Sequence, residues 1–146
     1  MPNLITGTEF EKQLRVCGNR MTDREFRRLV FAYCQHYQEI YWFDQLENAF
    51  AYLELASETD SDAVRSELTA IRNEVECAMG EYFESLNEVA TAINRLLDER
   101  PFTTSDTISC ISHVWNAHAC NEAPAEFRSR EDRMLCKLLV NVADDA

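Results

Sequence analysis

Four side chains that commonly bind zinc fall within eleven residues of the chain: Cys110, His113, His118 and Cys120. On a helix, Cys110 and His113 share a face, whereas His118 lies about 140° around the axis from His113. A tetrahedral site needs every donor within about 2.0–2.3 Å of the ion. An unbroken helix through Cys120 does not bring the four together. We therefore expect no bound metal and no other cofactor, and these four residues are the candidates if the helix ends before Cys120.

Acidic pairs at helical spacing form a second candidate for metal chemistry. Two carboxylates three or four residues apart share a helix face and are typical ligands of Mg²⁺. All-α metal-dependent nucleotide hydrolases use such pairs, together with a basic group for the phosphates. Here the nearest basic residues are Arg72 and Arg95, and three isolated glycines rule out a glycine-rich phosphate loop. His36 and Glu39 supply only one half of a di-iron motif. The acidic pairs are Glu81 with Glu84, Glu84 with Glu88, and Asp44 with Glu47.

An aromatic stretch is a candidate contact for another protein. Tyr37, Tyr41 and Trp42 do not all face the same side of a helix, so we expect at least one of them to lie outside the core. Exposed aromatic side chains are frequent anchors of protein interfaces.

The negative charge is concentrated in the middle third of the chain. The formal net charge is −12, and residues 44–99 hold fourteen acidic residues against three arginines. Such a surface attracts a basic protein and repels the phosphates of nucleic acids. We therefore expect a basic protein partner and no direct nucleic-acid contact. The candidate partner-binding carboxylates, which share the predicted central helix, are Glu67, Glu74, Glu81, Glu84 and Glu88.

The elements that position these residues are expected to be helices. Only three glycines and three prolines occur in 146 residues, which favours long helices with few turns. Apolar residues at three- and four-residue steps from Val64 to Leu96 predict one long helix over 62–98, with Gly80 as a kink or a close contact. We expect one all-α domain over 1–146, a bundle of five or six helices. Residues 57–62 are predicted to be an internal linker, and 143–146 a frayed acidic tail.

The location of the protein follows from what the sequence lacks. No apolar run approaches the ~20 residues of a membrane span, and residues 1–9 show no secretory signal pattern. The six dispersed cysteines are typical of buried thiols in a reducing compartment. These observations predict a cytoplasmic protein without a membrane partner, and they leave a homodimer open.

Together these patterns favour a non-catalytic, acidic binding protein. The most compatible class is an inhibitor, immunity or anti-defence protein that docks an acidic helical face on a basic partner, including proteins that mimic a nucleic acid. Two alternatives remain. The first is a small acidic chaperone or adaptor that uses an apolar groove between helices. The second is the all-α metal-dependent nucleotide hydrolase.

Overall fold

The chain is all-helical wherever its structure is described. A computed structural model describes residues 5–58, 67–80, 84–119 and 124–144, and these ranges contain helices and no strand. Two 3₁₀ turns, Gly18–Arg20 and Asp44–Leu46, precede the second and third helices. The seven α-helices of these ranges are α1 (Glu9–Cys17), α2 (Asp23–Ile40), α3 (Glu47–Glu58), α4 (Leu68–Met79), α5 (Glu84–Leu97), α6 (Thr104–Ala119) and α7 (Pro124–Asp144).

Helix α2 is the centre of the packing. It contacts α5, α6 and α7, while α3 packs against α4 and α1 packs against α7. A capping box stabilises the start of α2, because Thr22 and Glu25 each accept a hydrogen bond from the other's backbone amide. The largest side chains buried around α2 are Tyr33, Tyr37 and Trp115. In the described helices we find no segment long and apolar enough to cross a membrane.

The single long helix predicted over 62–98 is wrong. Helix α4 ends at Met79 with Gly80 as its C-cap, α5 begins at Glu84, and the two helices pack against each other as a hairpin. The apolar pattern was correct for each half, since Ile71 and Val75 of α4 and Val89 of α5 are buried. The spacing of apolar residues indicates which face of a helix is buried, but it does not indicate whether one helix continues unbroken through the whole pattern. The structure also has more helices than the five or six predicted.

Other helix boundaries differ from the predicted ones. Residues 57 and 58 of the predicted linker 57–62 belong to α3, and α7 continues to Asp144 within the predicted tail; the rest of both segments lies outside the described residues. Gly18 does not adopt the left-handed conformation expected of a helix end, because its φ is −58°. The absence of a side chain at Gly18 matters for another reason. A Cβ atom at this position would collide with the Thr104 hydroxyl at the start of α6.

Two residues of α2 hold the connection between α5 and α6. The guanidinium of Arg27 donates to the carbonyls of Leu96, Asp98 and Arg100 at 2.9, 2.8 and 2.7 Å. Asp23 accepts from the Phe102 amide at 2.5 Å and binds Arg27 at 2.9 Å. Arg27 therefore has a structural role. It satisfies the Leu96 carbonyl in the last turn of α5, which has no partner within the helix, and two carbonyls of the connection that follows.

Candidate functional site

The candidate site is a cluster of ionisable side chains buried between three helices. His36 comes from α2, His118 from the end of α6, and Glu131 from the second turn of α7. Each of them is in helical register with apolar core residues. His36 follows Tyr33 by three residues, His118 follows Trp115 by three, and Glu131 lies four after Phe127. The packing of the three apolar faces therefore brings the three polar groups together.

Glu131 is at the centre of this cluster. Its Oε1 atom accepts a hydrogen bond from the Tyr33 hydroxyl at 3.0 Å, and it lies 3.4 Å from Nε2 of His118 and 3.7 Å from Nε2 of His36. The second oxygen, Oε2, accepts from Nε of Arg130 at 3.1 Å. His118 and Glu131 have no exposed surface, whereas the side chain of His36 is 22% exposed. The cluster therefore has one edge near solvent.

The electrostatics of the cluster favour an ionised carboxylate. Burial by itself raises the pKa of Glu131, but the contacts with His36, His118 and Arg130 outweigh burial and lower that pKa to about 2. Burial and the adjacent Glu131 together raise the pKa of the Tyr33 hydroxyl well above its usual range. At neutral pH the cluster therefore contains a carboxylate and a protonated phenol.

The chemistry of this cluster is that of a metal-ligand set or a buried hydrogen-bond network. Each of the three ionisable residues offers one donor atom, and these atoms lie within 4.8 Å of one another. Imidazole nitrogen and carboxylate oxygen are standard ligands of divalent transition metals. Aromatic rings enclose the donors, with the Tyr37 ring 4.7 Å and the Phe127 ring 6.1 Å from the His118 ring.

The four zinc candidates chosen from spacing are not brought together in the described residues. His118 belongs to the buried cluster, while Cys110 and His113 line a polar cleft of about 250 Å³ between α5 and α6. His113 is paired there, with Nδ1 2.6 Å from Oε2 of Glu88. Burial raises the pKa of the Cys110 thiol to about 12, which keeps it protonated. Cys120 lies outside the described residues.

The predicted acidic face is divided between two helices. Glu67 is exposed before α4, and Glu74 is exposed on α4, where it accepts hydrogen bonds from the Asn48 side chain of α3. Glu88 lies on α5 and points to His113, so it does not continue the face. The side chains of the other two members, Glu81 and Glu84, lie outside the described residues.

The three aromatic candidates have different environments. Tyr37 is fully buried in the core and is therefore not exposed to a partner in this structure. Tyr41 is half-buried, with its ring 5.1 Å from the Tyr37 ring. Trp42 is 57% exposed, and its indole Nε1 donates to Oδ1 of Asp44 at 2.8 Å. Of the three, Trp42 is the one available to a partner.

Comparisons with protein-family models, with curated proteins and with solved structures find no match for this chain. The candidate site therefore stands on its own geometry. Sequence reasoning paired His36 with Glu39 and did not select Glu131. The available signal was a charged residue in register with an apolar face, four residues after Phe127 and four before Leu135. A carboxylate at such a position is rarely buried unless it has partners.

Proposed function

We propose that this protein is a non-catalytic binding protein that docks an acidic surface of α3 and α4 on a basic protein partner. The α3–α4 acidic surface is defined by the exposed carboxylates Asp44, Glu47, Glu67 and Glu74. Among functional classes, this proposal favours a cytoplasmic inhibitor, immunity or anti-defence protein.

The observation that carries the proposal is the exposed Trp42 beside these carboxylates. Its hydrogen bond to Asp44 fixes the indole at the 3₁₀ turn that packs against α4. A large aromatic side chain left in water is costly and is a frequent hot spot of interfaces. Around it, residues 41–58 contain no lysine or arginine, and Arg72 is the only basic residue of α4. An aromatic anchor within a field of one sign is suited to steered association with a basic surface.

The proposal is tested by affinity capture with charge variants. The immobilised protein should capture a basic protein from its native host, and this partner should dissociate as salt rises, because screening weakens charge steering. Purified partner should then associate about tenfold more slowly with Glu47→Lys/Glu74→Lys than with the original protein. Trp42→Ala should mainly accelerate dissociation, since anchors act on the lifetime of a complex.

A matched control is Glu9→Lys/Glu126→Lys, which changes the net charge equally on α1 and α7. These two glutamates are exposed, and their helices pack against each other. The control variant should associate at nearly the original rate. Equal slowing by both double variants would show that net charge alone matters and would contradict the proposed surface. Capture that is insensitive to salt and to Trp42→Ala would instead favour the chaperone or adaptor alternative.

A further inference from the structure

We propose that His36, His118 and Glu131 form a binding site for one Zn²⁺ ion, with the two Nε2 atoms and Glu131 Oε1 as its ligands. This site lies in the core and is independent of the acidic surface proposed above. It also differs from the set suggested by sequence spacing, of which only His118 takes part.

The three donor atoms are separated by distances that suit one zinc ion. Zinc bonds to nitrogen and oxygen of about 2.0–2.2 Å in tetrahedral geometry place neighbouring ligand atoms about 3.4 Å apart. Nε2 of His118 is 3.4 Å and Nε2 of His36 is 3.7 Å from Oε1 of Glu131, and all three donors lie within 4.8 Å. Small side-chain movements therefore suffice to place all three atoms on one ion.

The chemistry of the three donors favours zinc over magnesium or calcium. Two imidazoles and one carboxylate form a ligand set that zinc uses in proteins, whereas Mg²⁺ and Ca²⁺ prefer oxygen ligands alone. Binding requires deprotonated ligands. The carboxylate accepts hydrogen bonds from the Tyr33 hydroxyl and from Nε of Arg130, and donors of this kind favour its ionised form.

Hydrogen bonds from neighbouring side chains hold the Glu131 carboxylate in place. Tyr33 donates to Oε1 at 3.0 Å and Arg130 donates to Oε2 at 3.1 Å, so the carboxylate is held from both sides. Such outer contacts orient metal ligands and are worth about 10–100-fold in affinity. The doubly charged cation, the Glu131 carboxylate and the Arg130 guanidinium together carry a local charge of about +2, and the net charge of −12 of the whole protein favours uptake of the ion.

The number of ligands and the helices that supply them have two consequences. Its ligands come from α2, α6 and α7, so zinc would connect three helices and stabilise the native state by mass action. Three protein ligands leave a fourth coordination position, as in catalytic rather than structural zinc sites. The partly exposed His36 marks the edge through which water or a small ligand would reach that position.

The test is a titration of metal-free protein with zinc chloride by calorimetry, with thermal unfolding as a second readout. We expect one zinc per chain, a micromolar or tighter Kd, and a higher unfolding temperature with zinc. His36→Gln should weaken binding by at least about 100-fold. His113→Gln is the matched control, because that histidine pairs with Glu88 outside the site, and it should bind zinc like the original protein.

The absorption spectrum of the protein with Co²⁺ in place of Zn²⁺ is a second test, and it requires no substitution. Co²⁺ bound by imidazole and carboxylate should give visible d–d bands without a thiolate-to-cobalt charge-transfer band in the near ultraviolet. Absence of zinc binding, or equal binding by His36→Gln, would overturn the proposal. A thiolate band that disappears in Cys120→Ser would also overturn it, in favour of the cysteine-containing set.

Discussion

Glu131 is a carboxylate without solvent exposure, and its stability in the core depends on its neighbours. Burying an ionised carboxylate is costly unless it is paired and hydrogen-bonded. Here Tyr33 and Arg130 donate to its two oxygens, and the two histidines lie beside Oε1. Removing any one of these partners should therefore cost more than the loss of an exposed hydrogen bond.

Tyr33→Phe tests this dependence. The substitution keeps the ring, which is fully buried, and removes only the hydroxyl that donates to Glu131 at 3.0 Å. A hydrogen bond to a charged group contributes about 1.5–3 kcal/mol, so the free energy of unfolding should fall by about that amount. Urea denaturation of metal-free protein measures it, with Tyr41→Phe at a half-buried position as the control. A change below about 0.5 kcal/mol would show that this donor is dispensable.

The sequence predicted individual burial better than it predicted the partners of buried groups. Tyr33, Trp115 and Leu135 lie at three- and four-residue spacing from other apolar residues, which predicts core positions, and all three are buried. The cluster was missed because His36 and Glu131 are 95 positions apart in the sequence, and spacing along one helix contains no information about contacts between helices.

At the scale of elements, two helix starts can be recognised from capping residues in the sequence. Thr8 and Thr22 cap α1 and α2 as their spacing to Glu11 and Glu25 indicates. The N-terminal end of α1 has a further partner that no local signal reveals. The carboxylate of Asp132 on α7 accepts from the Glu9 and Phe10 amides at 3.0 and 2.9 Å. Contacts of this kind depend on tertiary packing, and they fix how the helices meet.

Arg27 allows a test of the contact between α2 and the α5–α6 connection. Arg27→Lys keeps the charge, but an ammonium group does not reproduce the planar donors that reach three carbonyls. The substitution also changes the cation–π contact in which the Arg27 guanidinium lies 4.8 Å from the centroid of the Phe102 ring. We expect the free energy of unfolding to fall by about 2 kcal/mol in chemical denaturation.

The control for this substitution is Arg15→Lys, because among the described residues the exposed Arg15 side chain pairs only with the partly buried Glu11, 3.5 Å away. It should change stability by less than about 0.5 kcal/mol, as exposed ion pairs usually do. Equal small effects at both positions would show that the carbonyl contacts of Arg27 add nothing to the fold.

For the molecule as a whole, the excess of acidic residues determines the response to salt. Fourteen basic side chains face twenty-six acidic ones, so twelve carboxylates have no counter-charge even if every cation is paired. Like charges on a folded protein repel one another and oppose the compact state. The uncompensated carboxylates are therefore expected to lower the stability of the fold at low ionic strength.

Raising ionic strength should stabilise the protein. Sodium chloride increased from about 0.01 M to about 0.15 M shortens the Debye length from about 30 Å to about 8 Å, which screens the repulsion. We expect the free energy of unfolding to rise by about 0.5–1 kcal/mol in urea denaturation at pH 7. Glu47→Gln/Glu76→Gln, which removes two exposed charges, should be more stable at low salt and respond less to salt. A loss of stability with added salt would mean that attractive pairs such as Arg95 with Asp106, 3.2 Å apart, outweigh the repulsion.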